Sequence, residues 1–364
     1  MAVRGNMEHS EELLIDRLGD LCEAHAVSGY EATLATEVSG KAGAYAPEVR
    51  TDTLGNVIAH IPGDGPRVMV AAHMDEIGLM VSHIDGQGFL FFAPVGGHRP
   101  QNLFARACTV KTEDGKLVPG LINHMKPGRP QGIESLPEIG DFFIDVGASS
   151  RAEAEQMGLE IGNTASIDYE FRRLGEHKLA GKALDDRALV LIQLEAMRRL
   201  SESSVEAGSL PDLYFAFTIQ EEVGLRGART AAYSIDPDYA VALDITVAND
   251  LPGAEPREAI TRLDAGPAIK MMDRLANSHI GLISDPGVVR GMKAVAREHD
   301  IPHQLEVFMA GSTDASAIHL ERAGAATGAL LLPTRYVHAH EVVSMRDVTA
   351  MTELLLRYLE SLGR

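Results

Sequence analysis

The chain has few of the features that mark secreted proteins and membrane proteins. Two of its 364 residues are cysteine, Cys22 and Cys108, and none is tryptophan. Two thiols are too few for a disulfide framework or for a zinc site made of four thiolates. No window approaches the roughly 18–20 consecutive apolar residues that cross a membrane, and residues 1–10 lack the apolar segment of a secretory signal. These absences predict a cytoplasmic protein without disulfides and without a membrane partner.

A positively charged surface for nucleic acid is also lacking. The chain has 33 Lys and Arg residues against 52 Asp and Glu residues, which gives a net charge of −19. Binding to a phosphate backbone depends on clustered Lys and Arg side chains that displace counterions. The charge balance therefore argues against a nucleic-acid partner, while peptides and small molecules stay open as substrates.

The residues that are abundant predict a globular α/β protein. Hydrophobic residues make up 45% of the chain, and its length suggests about two domains. Ser10 is predicted to cap a first helix whose apolar face includes Leu14 and Leu18. After this helix, short apolar runs typical of buried strands alternate with amphipathic helices. The predicted strands cover 57–61, 68–72, 213–219, 239–243 and 328–332, and the later predicted helices cover 188–200 and 348–362.

Between Met80 and Ile167 the pattern changes to short strand-like pieces separated by glycine. Asp114-Gly115 predicts a hairpin turn, and Ser150 and Glu153 have the spacing of a helix capping box. Strand–helix alternation flanks this segment on both sides. We therefore predict an α/β catalytic domain of residues 1–79 and 168–364 that is interrupted by a β-rich domain of residues 80–167.

Acids and histidines follow several of the predicted strands. They are His73, Asp75, Glu221, Glu222, Asp244 and His338, and the pair Asp185-Asp186 comes just before a helix. Each fragment alone usually has an ordinary structural role, as a turn residue, a helix cap or part of a solvated loop. In an open α/β sheet, however, ligands bind at the carboxyl ends of the strands. Side chains of this kind from several strands therefore predict one site at that edge.

The set matches the needs of a dinuclear metal site. Two divalent ions about 3.5–4 Å apart need a bridging carboxylate and roughly two further His or carboxylate ligands each. Five residues supply that number: His73, Asp185, Glu222, Asp244 and His338. Glu221 is then left beside a ligand, where a general base is needed. Asp75, two residues from His73, is placed to hold the second ring nitrogen of that imidazole.

Several motifs in this sequence resemble one enzyme family. They are His73-Met-Asp-Glu-Ile-Gly78, Gly181-Lys-Ala-Leu-Asp-Asp-Arg187, Gln220-Glu-Glu-Val-Gly224, Ala242-Leu-Asp244 and Arg335-Tyr-Val-His338. Further matches are Asp52-Thr-Leu-Gly-Asn56, Asp145-Val-Gly-Ala-Ser-Ser150 and Gly311-Ser-Thr-Asp-Ala315. Together they run from about Leu13 to Leu362 and resemble the glutamyl/TET-type aminopeptidases, metallopeptidase family forty-two.

The resemblance implies a role for each site residue. His73 and Asp244 would bind one metal ion, and Glu222 and His338 the other. Asp185 would bridge the two ions and would be joined to Asp186 by a cis peptide bond. Glu221 would be the general base, and Asp75 would orient His73. The ions would be Zn, Co or Mn, two in each subunit.

The resemblance also implies the fold and the assembly. The catalytic domain would be a mixed-sheet α/β/α domain of the phosphorylase/hydrolase-like type, interrupted by a β-rich domain of the barrel or PDZ-like type. That inserted domain would mediate dimerisation, and the dimers would build a dodecamer. The expected activity is the removal of N-terminal residues from short peptides, with a metal-bridging water activated by Glu221.

One departure from the family pattern leaves an alternative ligand open. Family members commonly have His-Ser-Pro-Val-Glu after the Arg-Tyr pair, whereas His338-Ala-His340-Glu341 is one residue shorter here. Alignment on Arg335 makes His338 the ligand, which we favour, and alignment on Glu341 makes His340 a candidate.

Other activities also stay open at the level of sequence. The same ligand spacing would serve a deacylase or a carboxypeptidase. A glycoside hydrolase is less favoured, because Glu221 and Glu222 are sequence neighbours and the two carboxyl groups of that reaction flank the bond about 5–9.5 Å apart. A non-catalytic assembly protein on this scaffold should have lost a ligand or the base, and none is missing. Residues 266–273 and 312–314 are expected to line the substrate cleft, without fixing its preference.

Overall fold

The computed structural model describes residues 2–124, 137–203, 210–276 and 278–363, with the side chains of residues 2–10 left aside. The described helices are α1 (Ala2–Glu23), α2 (Ala32–Ala42), α3 (Arg151–Gln156), α4 (Leu184–Glu202), α5 (Arg226–Ile235), α6 (Pro286–Glu298), α7 (Ala315–Ile318) and α8 (Met345–Leu362). None of them is long and apolar enough to cross a membrane.

The strands of the largest sheet are β1 (Glu48–Thr51), β2 (Val57–Ile61), β3 (Arg67–His73), β12 (Asp212–Thr218), β13 (Tyr239–Val247), β14 (Ala268–Asp273), β15 (Gln304–Phe308) and β16 (Ala326–Thr334). Their spatial order is β1-β2-β12-β3-β13-β16-β14-β15. The four central strands β12, β3, β13 and β16 are mutually parallel, and both flanks of the sheet contain antiparallel pairs. The carboxyl ends of the central strands therefore lie at one edge.

Helices cover both faces of this sheet because its central strands are apolar on both sides. In β3, Val68, Val70 and Ala72 pack in the larger core, which includes residues of α1, α4, α6 and α8. The alternate residues Met69 and Ala71 pack with residues of α5 and α7. Successive side chains of a strand point to opposite faces, so a continuous apolar run is what two covered faces require.

A separate closed barrel is built from β4 (Gly78–Ile84), β5 (Leu90–Val95), β6 (Arg106–Lys111), β7 (Leu117–His124), β8 (Phe142–Asp145) and β9 (Thr164–Ile167). Its strand order is β4-β5-β8-β7-β6-β9, and it has its own apolar core, with Leu79, Leu90 and Phe142 among the buried residues. A small third sheet contains β10 (Arg172–Leu174), β11 (Lys178–Gly181) and β17 (Glu341–Ser344). The predicted fold class, a mixed α/β domain interrupted by a β-rich unit, is confirmed, and that unit is a barrel.

Several local predictions are confirmed. Asp52 accepts hydrogen bonds from the backbone N–H groups of Leu54, Gly55 and Asn56, which closes the predicted turn. The hairpin at Asp114-Gly115 joins β6 and β7. Ser150 caps α3 by accepting a hydrogen bond from the backbone N–H of Glu153.

Other boundaries are wrong. Helix α1 begins at Ala2, so Ser10 lies inside the helix instead of at its N-cap. No proline before Ser10 stops the helix, and a serine alone is a weak start signal. Strand β13 continues to Val247, so Asp244 lies within it and not after it. Helix α8 begins at Met345 because Ser344 accepts a hydrogen bond from the backbone N–H of Arg346.

Candidate metal centre and active site

Two neighbouring parallel strands bring the first group of site residues together. Strand β3 ends at His73, and strand β12 ends at Thr218, which pairs with His73 in the sheet register. Glu221 and Glu222 follow Thr218 after two residues, so they lie at the same edge as His73. The buried Asp244 comes from β13, the strand on the other side of β3.

Asp185 and Asp186 reach this edge from the start of α4. The backbone angles of both residues are non-helical, and the peptide bond between them is cis, as the family resemblance implied. Both side chains are buried. The Asp186 Oδ2 atom accepts a hydrogen bond from the backbone N–H of His73 at 3.0 Å. The start of α4 is therefore tied directly to the end of β3.

Two overlapping groups of possible ligand atoms result. The first contains His73, Asp185, Asp186 and Asp244, and the second contains Asp185, Glu222 and His338. The Asp185 Oδ1 atom lies 3.1 Å from His73 Nε2, and its Oδ2 atom lies 3.5 Å from His338 Nε2. Asp185 thus presents one carboxylate oxygen to each group.

The two candidate histidines near the end of the chain lie in different surroundings. His338 Nε2 is 3.3 Å from Glu222 Oε1. His340 is half-buried, and its Nε2 atom is 3.1 Å from the carbonyl oxygen of Glu170. The structure therefore brings His338, and not His340, to the carboxylates of the site.

Asp75 connects the imidazole of His73 with the loop that carries both glutamates. His73 Nδ1 lies 3.4 Å from Asp75 Oδ1 and 3.1 Å from the Asp75 carbonyl oxygen. The same carboxylate accepts hydrogen bonds from the backbone N–H groups of Glu221 at 3.0 Å and Glu222 at 3.3 Å. The Ser28 hydroxyl donates to it at 2.5 Å. Burial alone would raise the pKa of Asp75, but the contacts with His73 and these donors lower it.

The carboxylates of the site experience unequal electrostatics. Burial raises the pKa of Glu221 well above its ordinary value, and the nearby Asp244 and Asp314 add to this effect. Burial and the charge of Asp185 likewise raise the pKa of Asp244. Burial opposes ionisation of Asp185 too, but its hydrogen bonds with His338 and His73 lower its pKa. The two imidazoles therefore favour the ionised form of Asp185, whereas the surroundings of Glu221 oppose its ionisation.

Sequence reasoning missed the role of Glu341, which was considered only as an alignment anchor. Its side chain is buried and accepts hydrogen bonds from two backbone N–H groups, that of Asp185 at 3.0 Å and that of His338 at 2.9 Å. It thereby fixes two site residues that are far apart in the chain. A carboxylate that binds backbone groups has no sequence pattern of its own, so no signal identified it.

A cleft extends from this site. Its lining includes the site residues Asp185, Glu221, Glu222, Asp244 and His338, together with Lys270, Ser312 and Thr313 from the predicted cleft segments. Leu275, Ile280 and Phe308 add apolar surface. Gly97 and Arg99 come from the chain that follows barrel strand β5. The cleft is thus apolar in part and leads directly to the carboxylates, which suits a peptide substrate.

Comparisons with known proteins agree with these observations. Residues 55–354 match the family model described as M42 glutamyl aminopeptidase. The lysyl aminopeptidase of Pyrococcus furiosus is 38% identical over 351 residues, which cover 94% of this chain and 95% of that protein.

Solved structures are similar along the whole chain. The structure of an aminopeptidase from the archaeon Desulfurococcus kamchatkensis has a TM-score of 0.91 at 39% identity, and the match covers 96% of this chain and 95% of that one. The TET1 peptidase of Pyrococcus horikoshii, which can assemble into a tetrahedron or a large octahedral shell, has a TM-score of 0.83 at 29% identity, with 95% and 99% covered.

The family model and the relatives confirm the resemblance that the motifs indicated. The chain belongs to the M42 glutamyl aminopeptidase family, and it is a peptide hydrolase of the aminopeptidase type.

Proposed function

We propose that the protein removes N-terminal residues from short peptides at a centre of two divalent cations. His73 and Asp244 would hold one cation, and Glu222 and His338 the other. The observation that carries this proposal is that Asp185 belongs to both groups of possible ligands, with one oxygen facing each. A carboxylate shared in this way is what a pair of metal ions needs as a bridge.

The residues present fit cations on chemical grounds. The two groups bring carboxylates, most of them buried, together with two imidazoles, and the buried Asp186 Oδ1 atom has no hydrogen-bond partner among the described residues. Burial raises the pKa values of Asp186, Glu221 and Asp244 together. A cluster of this kind is stabilised as carboxylates only by added positive charge. Its nitrogen and oxygen donors suit Zn, Co or Mn.

Within this centre we assign proton transfer to Glu221. Bound divalent cations would polarise the scissile carbonyl and lower the pKa of water. Glu221 belongs to neither ligand group of the described residues, yet its backbone N–H is fixed by Asp75 beside the ligand Glu222. Its raised pKa suits a carboxylate that accepts a proton from the attacking water and passes it to the leaving amine.

The free amino group of the substrate distinguishes this proposal from the other activities considered above. The family match supports an aminopeptidase over a deacylase, a carboxypeptidase, a glycoside hydrolase or a non-catalytic protein. We expect an aminoacyl p-nitroanilide to be hydrolysed and its N-acetylated form to resist. Chelation should abolish the reaction, and Zn, Co or Mn should restore it. Equal rates on both substrates, or activity that survives removal of the metal, would contradict the proposal.

We further propose that the chain self-associates and that the barrel segment of residues 80–167 mediates dimerisation within a dodecamer. The similar TET1 peptidase of Pyrococcus horikoshii can assemble into a tetrahedron or a large octahedral shell. Among the described residues of this segment, three large apolar side chains are more than half exposed, Leu117 at 55%, Leu121 at 60% and Ile161 at 60%. Replacing the segment by a short Gly/Ser linker should give smaller particles on size-exclusion chromatography. An unchanged particle size would contradict the proposed role.

A further inference from the structure

The cleft has one wall that comes from the barrel segment. Gly97 and Arg99 follow strand β5 and line the cleft together with Lys270 and Phe308 of the sheet domain. Gly97 is so close to the site that a Cβ atom on it would lie 2.9 Å from His338 Nδ1. Arg99, two residues further along, is therefore a near neighbour of the reaction centre.

The cations that line this cleft differ in their partners. Lys270 is 2% exposed and lies 3.3 Å from Asp273 and 3.4 Å from Glu306, so two carboxylates offset its charge. His338 is paired with carboxylates of the metal centre. Arg99 is exposed and has no ion pair with any carboxylate of the described residues. Its charge is thus available to a molecule in the cleft.

We propose that Arg99 binds a carboxylate of the peptide substrate, an inference that rests on the proposed peptidase function. A guanidinium presents a planar pair of donors that matches a carboxylate. In a chain with a net charge of −19, and beside a cleft rich in acidic residues, an uncompensated arginine favours an anionic group at that position. The inserted segment then contributes to substrate recognition as well as to the proposed assembly.

Two parts of a peptide could supply this carboxylate. One is the C-terminal carboxylate of a dipeptide or tripeptide, which lies within a few residues of the scissile bond. The other is the side chain of an N-terminal Glu or Asp. Both would make the same pair of hydrogen bonds with Arg99, so matched substrates must separate them.

The test compares the kinetics of the wild type with those of Arg99→Gln, which keeps a polar side chain and removes the charge. A leucyl dipeptide with a free C-terminus is compared with its C-terminal amide, and glutamyl p-nitroanilide is compared with glutaminyl p-nitroanilide. Arg151→Gln is the matched control, because Arg151 is an exposed arginine of the same segment that pairs with Glu155 outside the cleft lining. Arg99→Lys tests whether a positive charge is enough without the planar pair of guanidinium donors.

We expect the wild type to favour the charged member of one pair by about ten- to hundredfold in kcat/KM, the usual range for a hydrogen bond to a charged group. Arg99→Gln should abolish that preference through KM, leave the neutral member unchanged, and remove the sensitivity of the preference to salt. The substrate pair whose preference is lost in Arg99→Gln shows which of the two carboxylates Arg99 binds. Arg151→Gln should behave as the wild type, and Arg99→Lys should keep part of the preference.

Three results would overturn the inference, and they are distinguishable. Hydrolysis of all four substrates without preference for charge, or an equal loss on charged and neutral members in Arg99→Gln, would refute the role of Arg99 alone. Failure of the metal-loaded wild type to hydrolyse any of them would refute the proposed function and this inference with it.

Discussion

Replacing Glu341 by glutamine should weaken metal binding although Glu341 is not a proposed ligand. Its two carboxylate oxygens accept the backbone N–H groups of His338 and Asp185, at 2.9 Å and 3.0 Å. A glutamine amide has one oxygen and one NH₂ group, so it can keep one of these bonds while its NH₂ group faces the other N–H. The change therefore leaves one buried backbone N–H without an acceptor, which costs about 1–3 kcal/mol.

That cost corresponds to roughly 5–150-fold in affinity, a range that includes the loss of about 10–100-fold typical when a partner of a metal ligand is removed. We expect Glu341→Gln to bind Zn²⁺ about 10–100-fold more weakly in a calorimetric titration of the metal-free protein. Saturating metal should restore part of kcat. Thermal unfolding of the metal-free variant checks that the fold is retained.

His340→Ala is the matched control for this experiment. His340 lies two residues after His338, is half-buried, and contacts the carbonyl oxygen of Glu170. The His340→Ala variant should bind metal as tightly as the wild type does. An affinity of Glu341→Gln within about twofold of the wild type would refute the reasoning, and a loss in His340→Ala alone would indicate that His340 is the ligand.

Three further predictions concern single substitutions. Asp185→Asn should lose metal and activity together, because an amide is a poor bridge between cations; two tightly bound ions in the variant, measured by elemental analysis, would exclude the bridging role. Gly97→Ala should lower kcat, since its Cβ atom would lie 2.9 Å from the ring of His338 and displace it; unchanged kinetics would contradict that close contact. His60 is half-buried, which opposes its charging, but its hydrogen bond with Asp212 at 2.6 Å outweighs burial and raises its pKa. The contribution of this pair to the stability of the folded protein should therefore be fully present below the pKa of an unfolded histidine, about 6.5. It should disappear as the pH rises through the higher pKa of His60 in the folded protein. His60→Gln should destabilise the protein more at about pH 5.5 than at about pH 9 in urea unfolding, and an equal effect at both would contradict this.

The sheet edge could be predicted from sequence because parallel strands place their carboxyl ends together. The apolar runs before His73 and Glu221 identified two such strands, and the structure makes them neighbours. Asp244 was predicted at the correct edge of the sheet, but as the residue after the end of its strand. Strand β13 continues past Asp244 to Val247. The exact end of a strand depends on its partner, here β16, which is distant in the sequence.

The contacts that orient the site could not be predicted in the same way. Glu341 and Asp186 act through backbone N–H groups of residues far along the chain, at Asp185 and at His73. Periodicity reports which face a residue occupies, but not which distant peptide group it meets. The sequence left His338 and His340 as alternative ligands for the same reason. Both fit the motif, and only the folded backbone shows that His338 lies beside Glu222.

The most direct test of the central claim compares two adjacent residues of identical chemistry. Glu221→Gln and Glu222→Gln are purified, and the metal content and kcat of each are measured side by side. If Glu222 is a ligand and Glu221 the base, Glu222→Gln should lose metal and regain part of its activity when metal is added. Glu221→Gln should keep both ions while kcat falls by at least about 10²–10⁴-fold, and added metal should not restore it. Metal loss in Glu221→Gln with full retention in Glu222→Gln, or a change of only a few-fold in both, would contradict the account.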